Sequence, residues 1–225
     1  MTLRRVLGDG TVDAVKNATG LTAWQRRSAA KRGAALEDAY NQKRIEFLSR
    51  HVPPGAVGAE LGVFQGRFSP CLLMGLRPKR LHLIDPWFHL TPEWHWGEGS
   101  RSTVDALIEI LKQQKSAIAS GRVMVHLGDD LAVLRGFPDA SLDWAYVDSS
   151  HAYQHTVDEL ELLLNKVKPG GLVTGDDWRP DPNHRHHGVY RAVQEAVARD
   201  AYEFVAADEA IRQWALRRVG GEGGI

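Results

Sequence analysis

Short apolar runs separated by longer segments of helical period begin near residue 56 and continue almost to the end of the chain. That alternation is the signature of a parallel sheet covered by helices. Strands are expected over Val57–Val63, Arg80–Ile84, Arg122–Leu127, Leu142–Val147 and Gly171–Thr174, with two more over Tyr202–Ala206 and Arg212–Val219. Between them, Val157, Leu160, Leu163, Leu164 and Val167 form one helical stripe, and Val189, Ala192, Val193, Ala196 and Val197 form another. Lys168-Pro169-Gly170-Gly171 should end the first helix sharply. The expected fold is α/β: a seven-stranded, mostly parallel sheet with helices on both faces and an antiparallel last strand.

Residues 1–50 lack the strand pattern and read as helical in pieces, with Tyr40–Leu48 the best segment. They are expected to form an N-terminal cap or arm ahead of a catalytic domain over residues 51–225. The stretch from Pro86 to Gly121 is too long for a simple strand-to-helix loop, and a helix should begin near Ser102.

Charge narrows the partners. Lys plus Arg (28) equals Asp plus Glu (28), so no global field favours nucleic acid or an anionic membrane. Residues 1–50 do carry ten basic against five acidic side chains, which is expected to solvate helices more than to recruit an acidic partner. Cys71 is the single cysteine, which excludes an intramolecular disulfide and suits a reducing cytoplasm. No apolar run has the length of a membrane span or a signal peptide. The expected partner is a small-molecule or oligosaccharide substrate, and the sequence leaves a homo-oligomer open.

In open α/β sheets ligands bind beyond the carboxyl ends of the strands, so chemistry is sought there. The first strand runs into Glu60-Leu61-Gly62-Val63-Phe64-Gln65-Gly66, where two glycines allow a tight turn and a close backbone approach. Phe64 stands where the dinucleotide fingerprint has its middle glycine, so that motif is not matched. The second strand ends in Asp85, placed to accept ribose hydroxyls, and the third in Gly128-Asp129-Asp130, with an acceptor for an adenine amino group. The fourth ends in Asp148-Ser149-Ser150-His151 and the fifth in Asp176-Asp177-Trp178. Three carboxylates at neighbouring strand ends would repel one another, and a hard divalent cation with oxygen ligands would relieve that cost.

These motifs resemble the metal-dependent class I methyltransferases, Rossmann-like enzymes that use S-adenosylmethionine (SAM), in particular the catechol O-methyltransferase-like and macrocin-type sugar O-methyltransferases. The resemblance covers about residues 56–218 and is most specific from Asp148-Ser149-Ser150-His151-Ala152-Tyr153 to Lys168-Pro169-Gly170-Gly171 and Asp176-Asp177. It implies that Glu60, Gly62, Gly66 and Ser69 line the methionine and ribose end of SAM, that Asp85 binds the ribose, that Asp129 approaches adenine, and that Asp148 also borders the cofactor. It further implies Asp148, Asp176 and Asp177 as ligands of Mg²⁺ or another divalent cation. The family's base lies three residues after the first metal Asp, commonly a Lys in the catechol enzymes and here His151, a competent base near neutral pH. A second departure is Gly66-Arg67-Phe68-Ser69, one residue longer before the serine than in the catechol type.

Trp87, Trp94, Trp96 and Trp178 are expected near one rim, where indole faces pack on a sugar or an aromatic ring. The cluster His184-Arg185-His186-His187 is an alternative source of the base, and His187 in it is a further candidate substrate contact. The expected activity is O-methylation of a sugar, glycoside or polysaccharide precursor. A catechol-type phenol is the alternative acceptor; a metal-dependent hydrolase or a noncatalytic cofactor-binding module are the readings from other classes.

Overall fold

The structure is a computed structural model and describes residues 23–87 and 101–220. The chain divides after Gln42, and the compact unit that carries the sheet begins at Lys43. The elements are α1 (Ala23–Ser49), β1 (Val57–Leu61), α2 (Ser69–Gly75), β2 (Arg80–Asp85), α3 (Arg101–Gln113), α4 (Lys115–Ala119) and β3 (Val123–Leu127). They continue with α5 (Asp130–Arg135), β4 (Leu142–Val147), α6 (Tyr153–Lys166), β5 (Val167–Gly175), α7 (His187–Ala198), β6 (Tyr202–Asp208) and β7 (Gln213–Arg218). None of the described helices is long and apolar enough to cross a membrane.

All seven expected strands are present in one sheet, ordered β3-β2-β1-β4-β5-β7-β6. β1 to β5 pair in parallel, and β7 runs antiparallel to both β5 and β6. From β1 the chain winds outward to β3, then returns to β4 on the other side and winds to β5. Because parallel crossovers are right-handed, the reversal places the two sets of helices on opposite faces. Central strands are therefore buried on both sides: four of five residues in β1 and five of six in β4 are fully packed.

The helical stripes behave as their spacing requires. Leu160 and Leu163 of α6 and Val189, Ala192 and Val193 of α7 pack into one core with Val147, Val173 and Trp214. The Lys-Pro-Gly-Gly stretch differs from expectation, because α6 ends at Lys166 and that stretch already belongs to β5. Leu142 pairs with Val167 and Trp144 with Leu172, so the stretch forms a bulge in the ladder. Pro169 has no N–H to donate and Gly170 takes φ +76°, which makes a bulge the natural outcome.

Candidate active site

The strand order reverses between β1 and β4, and at that switch point the glycine turn meets the end of β4. Gly62 has φ +82°, and a Cβ there would lie 2.2 Å from the carbonyl oxygen of Asp148. The glycine is thus required by the neighbouring backbone. Phe64, at the position of the missing glycine, nevertheless adopts the left-handed conformation, with φ 50°. Three contacts hold it there. Asp85 Oδ2 accepts the amides of Val63 (2.9 Å) and Phe64 (2.7 Å), and the Trp87 indole donates to the Phe64 carbonyl at 2.8 Å. Asp85 Oδ1 takes the Trp87 amide, also at 2.7 Å.

A carboxylate offers about four lone-pair positions, so Asp85 keeps one unused while it organises the turn. Burial raises its carboxyl above the ordinary range despite these three bonds. Glu60 is buried and accepts a hydrogen bond from the Ser69 hydroxyl at 2.6 Å. Burial pushes its carboxyl up to about 8, against the pull of that bond, so Glu60 is largely neutral at pH 7. Ser69 therefore serves Glu60. Asp129 caps α5 by accepting the Ala132 amide at 3.0 Å. The turn, a carboxylate with a spare lone pair and a half-buried acceptor after β3 fit the amino-acid, ribose and adenine parts of SAM.

The three aspartates are not the uncompensated group that the sequence suggests. Arg44, near the end of α1, is 6% exposed and reaches Asp148 Oδ2 at 3.0 Å and Asp176 Oδ2 at 3.5 Å. Its guanidinium stacks 3.7 Å above the Phe68 ring and donates to the Tyr146 hydroxyl. That hydroxyl donates to Gln213 Oε1 at 2.9 Å, and Gln213 Nε2 donates to Asp176 Oδ1 at 3.0 Å. Burial, and then the nearby Asp148, raise the Asp176 carboxyl to about 6, with Arg44 opposing.

Asp177 faces another way, in the left-handed conformation with φ 59°. Its Oδ2 bonds His186 Nδ1 and lies 3.4 Å from His151 Nδ1, while Arg179 stands 3.6 Å from Oδ1. Burial would raise this carboxyl, but His186, His151 and Arg212 hold it well below the carboxylate range. Among the described residues, ligand atoms lie within 4.8 Å of one another in two groups, His151–Asp177–His186 and Asp130–His155–Glu159. Asp148, Asp176 and Asp177 form no such group. A hard cation held by those three carboxylates does not fit this arrangement, because Arg44 already neutralises two of them and imidazoles attend the third.

His151 sits between the acids. Its Nε2 is 3.1 Å from Asp148 Oδ1, its ring centre is 4.6 Å from that of His186, and its backbone is left-handed at φ 58°. Burial alone would lower its pKa, but Asp148, Asp177 and Asp176 outweigh it and raise the group above 6.5.

Of the aromatic expectations, those on Trp87 and Trp178 change. Trp87 is 2% exposed and clamps the glycine turn; Trp178 is 7% exposed and packs on Tyr190 and Phe204 in the core. Neither offers an indole face to a substrate. Trp94 and Trp96 lie outside the described residues. His187 begins α7, bonds the Arg179 carbonyl through Nδ1 at 2.9 Å and stacks on Tyr190, so it is His186 that enters the cluster. Sequence reasoning missed Arg44, Tyr146 and Gln213. Arg44 gave no local signal, being one basic residue among many on a long helix.

A glycine turn, a buried strand-end acid and a carboxylate–imidazole cluster meet at the switch point, where open α/β sheets bind their ligands. Residues 59–178, more than half of the chain, match the family model of a methyltransferase domain, and the chain belongs to that family. A SAM-dependent methyltransferase from Aquifex aeolicus is similar in structure, with a TM-score of 0.53 at 14% identity, covering 79% of this chain and 88% of that one. A Corynebacterium glutamicum protein gives 0.60 at 12% identity, covering 96% and 99%. A geranyl diphosphate methyltransferase solved with GPP and sinefungin gives 0.54 at 12%, covering 79% and 77%. Among curated proteins none matches significantly. The protein is a SAM-dependent methyltransferase with the class I fold.

Proposed function

We propose that this chain methylates a hydroxyl group, with a sugar, glycoside or polysaccharide precursor as acceptor. The observation that carries the reading is the His151 imidazole held between Asp148 and Asp177, beside the glycine turn. SAM, when bound, supplies an electrophilic methyl group on a sulfonium. A neutral hydroxyl is a poor nucleophile, so the protein's task is to remove its proton as the methyl group arrives.

With Nε2–H donated to Asp148, the His151 nitrogen left to accept a proton is Nδ1; it is buried and has no hydrogen-bond partner, so the acceptor hydroxyl reaches it once the side chain turns as substrate binds. Asp177, 3.4 Å away, favours the imidazolium that results. Asp148 thus orients the base and Asp177 stabilises its charged form. Arg44 and Gln213 fix Asp148 and Asp176 from the interior side. Holding acceptor and methyl donor in line supplies much of the remaining rate.

The sugar preference rests on the resemblance to the macrocin-type enzymes, since Trp87 and Trp178 are withdrawn into packing. The test is turnover of SAM with matched panels of glycosides and catechols, run in chelator and with added Mg²⁺. Methyl transfer to glycosides that persists in chelator supports the reading. Transfer confined to catechols, or found only with Mg²⁺, overturns the acceptor or reinstates the metal expected from the three aspartates.

A further inference from the structure

A second cluster at the same end of the sheet is left unused by methyl transfer. Asp130, the first residue of α5, is 2% exposed, and His155 and Glu159 stand one helical turn apart on α6 facing it. His155 Nε2 lies 2.8 Å from Asp130 Oδ1 and 3.9 Å from Glu159 Oε1. Ligand atoms of all three lie within 4.8 Å of one another.

Glu159 is fully buried. Its Oε1 accepts a hydrogen bond from the Ser149 hydroxyl at 2.6 Å, but its Oε2, equally buried, has no donor. A buried carboxylate oxygen without a donor is costly, and a second carboxylate beside it adds repulsion. Something positive belongs between Asp130 and Glu159.

We propose that Asp130, His155 and Glu159 form a binding site for a divalent transition-metal ion of the zinc class. One imidazole nitrogen and two carboxylate oxygens make a mixed donor set that suits Zn²⁺ better than Mg²⁺, which prefers oxygen ligands and keeps several waters. With Zn–N and Zn–O bonds of about 2.0–2.2 Å, tetrahedral ligand atoms stand roughly 3.3–3.5 Å apart. The observed separations of 2.8 and 3.9 Å bracket that value. Ser149 orients Glu159 as an outer-shell partner, and His155, with a side chain 17% exposed, leaves a path to solvent. On binding, the ion ties α5 to α6.

The test titrates Zn²⁺ alone by calorimetry into the full-length His151→Ala/His186→Ala variant, which lacks the imidazoles of the other cluster. The expected result is one ion bound per chain. Adding Glu159→Gln or His155→Ala should weaken binding by more than the roughly 10–100-fold typical of losing an outer-shell partner. Glu159→Gln keeps the shape of the side chain; should it fail to fold, His155→Ala decides, since His155 is partly exposed. No Zn²⁺ bound by the double variant, or equal affinity after His155→Ala, overturns the site.

Discussion

Replacing Arg44 by Gln removes the interior cation of the active site and leaves the packing nearly intact. The side chain is 6% exposed and touches Asp148 at 3.0 Å, Asp176 at 3.5 Å and the Phe68 face at 3.7 Å. Breaking a buried pair by deleting one partner costs about 3–5 kcal/mol, because the other charge stays buried. Here part of that cost is avoided, since the Asp176 carboxyl already sits near 6 and protonates readily once Arg44 is gone. The lower end, about 3 kcal/mol, is therefore expected near neutral pH, a fall in melting temperature of roughly 6–12 °C for a chain of this size. Scanning calorimetry measures it, and a second scan with Mg²⁺ probes the vacated charge. The variant should gain more from the ion than the wild type, because Mg²⁺ then supplies the counter-charge that Arg44 gave. A variant that melts within about 2 °C of the wild type, with no differential response to Mg²⁺, refutes the claim that Arg44 neutralises this site.

Gly62→Ala should destabilise the protein by about 1–3 kcal/mol in urea unfolding, since it combines a left-handed backbone with a Cβ forced onto the end of β4; a neutral outcome would mean that the turn relaxes freely. Glu60 has a raised folded pKa, so its stabilisation is full below about 4.5 and is lost as pH rises through about 8. The melting temperature of wild type relative to Glu60→Gln should fall across that window, and a constant difference would show Glu60 ionised throughout. His151→Ala should lower kcat by about 10²–10⁴-fold. Because the His151 pKa lies above 6.5, the wild-type rate should fall as pH drops through that raised value and the variant should lack this limb.

The strands were legible because each is a short apolar run closed by Gly, Pro or Asp, and all seven fall within a few residues of their expected limits. The glycine turn and the acids at strand ends were legible for the same reason, being tied to strand termini. What the pattern could not carry was pairing across the chain. Arg44 meets Asp148 over a separation of 104 residues, and no local signal distinguishes it from its solvated neighbours. The expectation of a metal counted the acids, and local sequence gives no means of counting the cations that face them. Trp87 shows the complementary error: an aromatic-rich segment suggests a substrate rim, yet this indole is consumed in holding Phe64 in a conformation that glycine would adopt unaided.

The most direct test of the account follows the methyl group itself. SAM carrying a ¹³C-methyl label is incubated with wild-type protein and the glycoside panel, and the product is read by carbon–proton correlation, which separates methyl on oxygen from methyl on nitrogen, sulfur or carbon. The account predicts label on a glycoside oxygen, formed by the wild type and reduced about 10²–10⁴-fold by His151→Ala. Label on nitrogen or sulfur, or an O-methyl product formed equally well without His151, would contradict it.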